Sequence, residues 1–252
     1  MLKNRVIPIL LLKDGRAIKT IQFDKYRDVG DPVTTARIYN AQRADELMFL
    51  DISASSEGRK TLCNIVREVA EECFMPLLVG GGVSSIDDIR LLLCQGADKV
   101  IINTAAYEIP GFIKRASEKF GSSTIVASID VRKNKEKMYE VYVRSGNYST
   151  GLNPVEWARS LVNEGAGEIV ITLIDREGVM KGLDIDLIKS ITESVNVPVI
   201  ASGGVGSLKD YQLGFEDGGA QAVAAGSIFH FTDQNPIMTR NYLYNNKVNI
   251  RP

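Results

Sequence analysis

A long-range internal repeat constrains this chain more than any other feature. Pro76-Leu77-Leu78-Val79-Gly80-Gly81-Gly82-Val83-Ser84-Ser85 is echoed by Pro198-Val199-Ile200-Ala201-Ser202-Gly203-Gly204-Val205-Gly206-Ser207. After each copy comes a helix-length stretch, then a Gly-Ala step and another apolar run, at Gln95-Gly96-Ala97-Asp98 and Gly218-Gly219-Ala220-Gln221. Phe49-Leu50-Asp51-Ile52 and Leu173-Ile174-Asp175-Arg176 form a further pair in the same order. Self-similarity at half the chain length points to two like halves, each made of strand–loop–helix units.

Apolar strand-like runs fall at 5–11, 46–51, 77–80, 99–103, 124–130, 168–174, 198–202 and 221–225. Helical patterns lie near 32–43, 58–72, 85–95, 109–119, 153–164, 184–194, 207–217 and 235–244. Asp31-Pro32 supplies a capping carboxylate before a Pro at the first helical position. Strands with little polar alternation fit a parallel sheet covered by helices. An extra strand near 138–144 reads as a hairpin after strand five. Eight such units predict an α/β fold, a closed (β/α)8 TIM barrel, with residues 1–252 as a single domain. The 44% hydrophobic fraction is ample for such a core.

Net charge of -1 offers no field for nucleic acid or an anionic membrane. No signal stretch or apolar run of about 20 residues is present, so the expectation is a cytoplasmic protein. Cys63, Cys73 and Cys94 have no paired or metal-ligand spacing and read as buried reduced thiols in helices. The single histidine, His230, sits between Phe229 and Phe231 and reads as a packed structural residue. Neither a metal site nor a Cys-His glutaminase dyad can be assembled, and no cofactor is expected.

Two Gly-rich loops, Gly80-Gly81-Gly82 and Gly203-Gly204, each lie between a strand and a helix start. Backbone N–H groups there can approach an anion, helped by the helix dipole. Asn103-Thr104 and Gly226-Ser227 complete two cups in symmetric positions. Tight turns alone would explain one such loop; two suit a ligand phosphorylated at both ends. At the opposite ends of the strands stand Arg5, Glu46, Lys99 and Glu168. Alternation turns Arg5 inward with Ile7, Ile9 and Leu11, so the four charges can form a neutral ring. For an anonymous barrel that ring is a plug.

Lys13-Asp14-Gly15-Arg16, Arg27-Asp28 with Gly30-Asp31-Pro32, Phe49 to Ser55, Val79 to Gly82, Ile102 to Ala106, Ser128-Ile129-Asp130, Ala201 to Gly204 and Phe229-His230-Phe231 together resemble one family. It is HisF, the cyclase subunit of imidazole glycerol phosphate synthase. The resemblance runs in register over essentially the whole chain. It implies a partner glutaminase, HisH, whose ammonia crosses the barrel to a bis-phosphorylated ribulosyl substrate. It also implies phosphate binding by Gly81, Gly82, Asn103, Thr104, Gly178, Gly203, Gly204, Gly226 and Ser227. The four charges correspond to an ammonia gate, and Lys19 to a lysine of a mobile substrate loop.

The family's chemistry rests on two aspartates, at the ends of strands one and five. Asp130 matches the second; Leu11 occupies the place of the first and can neither accept nor donate a proton. The loop Asp175 to Val179 departs as well, with Glu177-Gly178-Val179 where the family carries Asp-Gly-Thr. An ammonia entrance kept beside a lost carboxylate resembles a HisF-like branch of bacterial surface-polysaccharide synthesis. Members work beside a HisH-like glutaminase and supply ammonia to a sugar amidotransferase, which turns an acetamido group into an acetamidino group. The alternative is a genuine cyclase of histidine biosynthesis that tolerates Leu11.

Overall fold

The computed structural model describes residues 3–54, 61 and 63–251. The barrel strands are β1 (Arg5–Lys13), β4 (Leu47–Asp51), β5 (Leu77–Gly80), β6 (Lys99–Ile102), β7 (Ile125–Lys133), β10 (Glu168–Leu173), β11 (Val199–Ser202) and β12 (Ala222–Ala225). They pair in parallel in that order, and β12 pairs with β1 to close the cylinder. Outside it run α1 (Pro32–Ala41), α2 (Cys63–Glu72), α3 (Ile86–Cys94), α4 (Thr104–Glu108), α5 (Phe112–Phe120), α6 (Pro154–Asn163), α7 (Ile185–Thr192), α8 (Leu208–Glu216), α9 (Ser227–Phe231) and α10 (Pro236–Asn245). This is the (β/α)8 barrel that the sequence pattern predicts.

Local chemistry explains the element boundaries. Asp31 accepts from Thr34 N at 2.7 Å, and Pro32 opens α1, as the sequence predicts. The duplication is visible in bonds as well as letters. Ser85 with Asp88 and Ser207 with Asp210 build matching capping boxes at the starts of α3 and α8. Leu77 N donates to Asp98 and Val199 N to Gln221, each at 2.8 Å, at corresponding strand starts.

The structure departs from expectation in four places. The stretch after Leu11 is not a plain loop: β1 runs on to Lys13, turns at Asp14-Gly15 and pairs antiparallel with β2 (Arg16–Thr20), itself paired with β3 (Tyr26–Gly30). The expected hairpin after strand five is present as β8 (Tyr139–Val143), antiparallel to β7, but a short β9 (Tyr148–Ser149) extends it. The helix expected at 109–119 is α5, and the short α4 and α9 lie outside the expected helices, α4 ending where Pro110 holds Ile109 extended. The thiols are not buried: Cys63 and Cys73 are half-buried, and Cys94 is exposed on the last turn of α3. That helix buries Asp88, Ile89 and Leu92 instead. The expected start of the second helix at residue 58, and Ser55, lie outside the described residues.

Two apolar cores result. The larger lies between strands and helices, around Phe49, Tyr211, Phe112 and Leu77. The smaller fills the barrel with Ile7, Met48, Leu78, Ile101, Val126, Val170, Ile200, Ala222 and Ala224. No helix among the described residues is long and apolar enough to cross a membrane.

Candidate functional site

A cavity of about 610 Å³ opens at the carboxyl ends of the strands, where barrel folds carry their sites. Its floor is hydrocarbon, from Ile9, Met48, Leu50, Ile101, Val170 and Ala224. Ser128 joins the floor beside Val170, and from the next inward-facing level rise Asn103, Asp130, Thr172 and Ser202. Two-residue alternation puts each of these one step above an apolar floor position on its own or a neighbouring strand.

Asp130 is buried and accepts from Asn103 Nδ2 at 2.8 Å. Burial pushes its carboxyl up to about 7, against which the Asn103 bond acts only in part. It is therefore an acid–base group able to exchange a proton near neutrality. Leu11 lines the same cavity and is itself nearly covered. The cavity thus has a carboxyl at Asp130 on strand five and hydrocarbon at Leu11 on strand one.

The raised carboxyl has a consequence for stability. Between about pH 4 and 7 the unfolded chain ionises this side chain while the folded chain keeps it protonated, so its contribution falls as pH rises through that window and levels off above it. Asp130→Asn removes the effect. Its stability advantage over the wild type should grow from pH 4 to pH 7, reaching up to about 4 kcal/mol. Urea melts across that range test this; a difference that does not change with pH would contradict it.

The two Gly-rich loops do face the cavity, with Gly81, Gly82, Gly178, Gly203 and Gly204 in its wall beside Thr104, Gly226 and Ser227. Close backbone approach is the reason for glycine here. A Cβ on Gly81 would lie 2.0 Å from Asp51 O, and one on Gly204 would lie 2.2 Å from Gly182 O, both at positive φ. Thr104 Oγ1 accepts from Arg144 N at 3.0 Å, tying the β8–β9 hairpin to the first cup. Ser227 Oγ, in the second, is buried and has no hydrogen-bond partner among the described residues.

Lys19 is on β2, not on an open loop. It is buried against the cavity wall, ion-paired with Glu177 and donating to Thr20 O at 2.9 Å. Desolvation lowers its amine to about 7. The sequence marks Glu177 as a departure without indicating this pairing. An Asp-Gly turn between strand-like runs is a hairpin signal, and it places Lys19 on a strand whose register the flanking residues fix.

At the amino ends of the strands the four charges meet. Arg5 donates to both Glu46 oxygens at 2.8 Å and pairs with Glu168. Lys99 Nζ lies 3.2 Å from Glu46 and 2.8 Å from Glu168. Burial would lower the Arg5 guanidinium, but the two carboxylates outweigh it and hold it above its ordinary value. Directly inward, Ile7, Leu78, Val126 and Ile200 of the inner core separate this ring from the cavity floor.

His230 packs among Tyr39 and Phe231, and desolvation lowers its imidazole to about 4. It is neutral and structural, as its aromatic neighbours predict. A family model described as "Histidine biosynthesis protein" matches residues 5–235.

Proposed function

Because the chain belongs to the histidine biosynthesis protein family of (β/α)8-barrel enzymes, we propose that it is a HisF-like, ammonia-conducting subunit of a glutamine-dependent amidotransferase complex. The carrying observation is a contrast between the two ends of one barrel. The ring of Arg5, Glu46, Lys99 and Glu168 is complete, whereas the cavity keeps Asp130 and has Leu11 in place of a second acid.

In this reading a HisH-like glutaminase docks on the ring face and releases ammonia there. The charges admit it, and the apolar interior favours the neutral molecule over ammonium, whose charge resists leaving water. The ammonia reaches the cavity and is used to convert a sugar acetamido group to an acetamidino group, with a sugar amidotransferase, in surface-polysaccharide synthesis. A phosphorylated small molecule or free phosphate occupies the Gly81–Thr104 and Gly204–Ser227 cups.

One observation favours a second reading, the cyclase of histidine biosynthesis: Asp130 is still held by Asn103 and titrates near neutrality. Neighbouring genes separate the two, glycosyltransferases and an amidotransferase for the first, a histidine operon for the second.

Co-expression with the neighbouring glutaminase followed by gel filtration tests the partnership. The two should co-elute, with the ring face protected from exchange. A pair that never co-elutes, or contact mapped to the phosphate-cup face, would overturn it.

A further inference from the structure

Glu177 is bonded almost entirely to one hairpin. It pairs with Lys19, accepts from Thr20 Oγ1 at 3.0 Å and is approached by Phe23 N at 3.4 Å. Its carbonyl accepts from Gln22 N at 2.9 Å, and Gln22 Nε2 donates to Asp175 O at 2.8 Å. The Lys19 stem lies against Gly226, where a Cβ would sit 3.1 Å from Cδ and Cε. Next to Gly226 is Ser227, whose buried hydroxyl has no partner among the described residues. The cation whose stem lies against this glycine is therefore already committed to a carboxylate of the same chain. On strand one, Leu11 pairs with Ile18 and brings no charge, and the cavity-lining Lys13 lies over the Tyr26 ring, 4.1 Å from its centroid.

We infer that Glu177 is a specificity-determining residue whose tethered carboxylate competes with an incoming phosphate group for Lys19 at the Gly226–Ser227 end of the cavity. This rests on reading that end as an anion cup. A tethered competitor acts at an effective concentration in the mM range. Weakly held monoanions are excluded, and a phosphate, with more charge and more acceptor oxygens, is the class able to displace it. Displacement also releases the hairpin tip, because the same carboxylate holds Thr20 and Phe23.

Calorimetric titration of the full chain with inorganic phosphate, against chloride at matched ionic strength, tests this. Glu177→Gln should bind phosphate about tenfold more tightly than wild type, or better. The gain should vanish in Glu177→Gln with Lys19→Met. Equal affinity in wild type and Glu177→Gln, or a gain that survives loss of Lys19, overturns the inference while leaving the cup intact. No phosphate binding by any of the three overturns cup and inference together. If Glu177→Gln does not fold in phosphate-free buffer, refolding yield is measured against phosphate: a rise that requires Lys19 supports the competition, and indifference overturns it.

Discussion

Given a bis-phosphorylated ribulosyl substrate and saturating ammonium salt, the isolated chain should turn over roughly 10²–10⁴-fold more slowly than a two-carboxylate cyclase, or about 3–5 kcal/mol in the barrier. The expectation comes from the cavity. Asp130 is one acid–base group with a near-neutral proton, and a cyclisation that needs proton donor and acceptor on opposite sides meets hydrocarbon at Leu11. Leu11→Asp should recover part of the loss, because the side chain already faces the cavity. Recovery should be incomplete while Glu177 holds Lys19. Wild-type turnover equal to that of a two-carboxylate enzyme would remove the reason for preferring ammonia transfer and promote the histidine-pathway reading.

The second large effect concerns the charged ring. Lys99→Ala leaves Glu46 and Glu168 sharing Arg5 alone, and Arg5→Ala leaves them sharing Lys99 alone. Breaking such a set by removing one partner strands partly buried carboxylates, so each variant should lose on the order of 3 kcal/mol in denaturant melts. If the ring meters ammonia, Lys99→Ala in the glutaminase complex should also release glutamate without matching product, ammonia escaping to solvent. Lost stability with an unchanged glutamate-to-product ratio would reduce the ring to a plug.

The sequence carries the barrel legibly because its signals are local and repeated. Eight apolar runs and the cap at Asp31-Pro32 each act within a few residues. What escaped it depends on distant pairing. Lys19 and Glu177 are far apart in the chain, so nothing in either segment announces their ion pair. The β2–β3 hairpin is hard to read because Arg16–Thr20 and Tyr26–Gly30 mix charged and apolar residues, although β2 is buried from Ala17 to Thr20. Cys94 is exposed because it lies about 200° round α3 from the buried Leu92, on the outward face. The ring and the cups were legible as residue types; that they occupy opposite ends of one cylinder follows from strand direction alone.

The two hairpins have one more consequence. They rise from β1 and β7, the first strand of each half, and Leu11 and Asp130 stand at their bases, opposite Ile18 and Tyr142. Duplication set out a frame with a pseudo-twofold axis; the side chains then broke it, one pole greasy and the other acidic. A molecule with two similar ends lying across that axis meets a different chemistry at each. Its orientation is thus decided by wetting and proton affinity, even where the surrounding shape is nearly repeated from one half to the other.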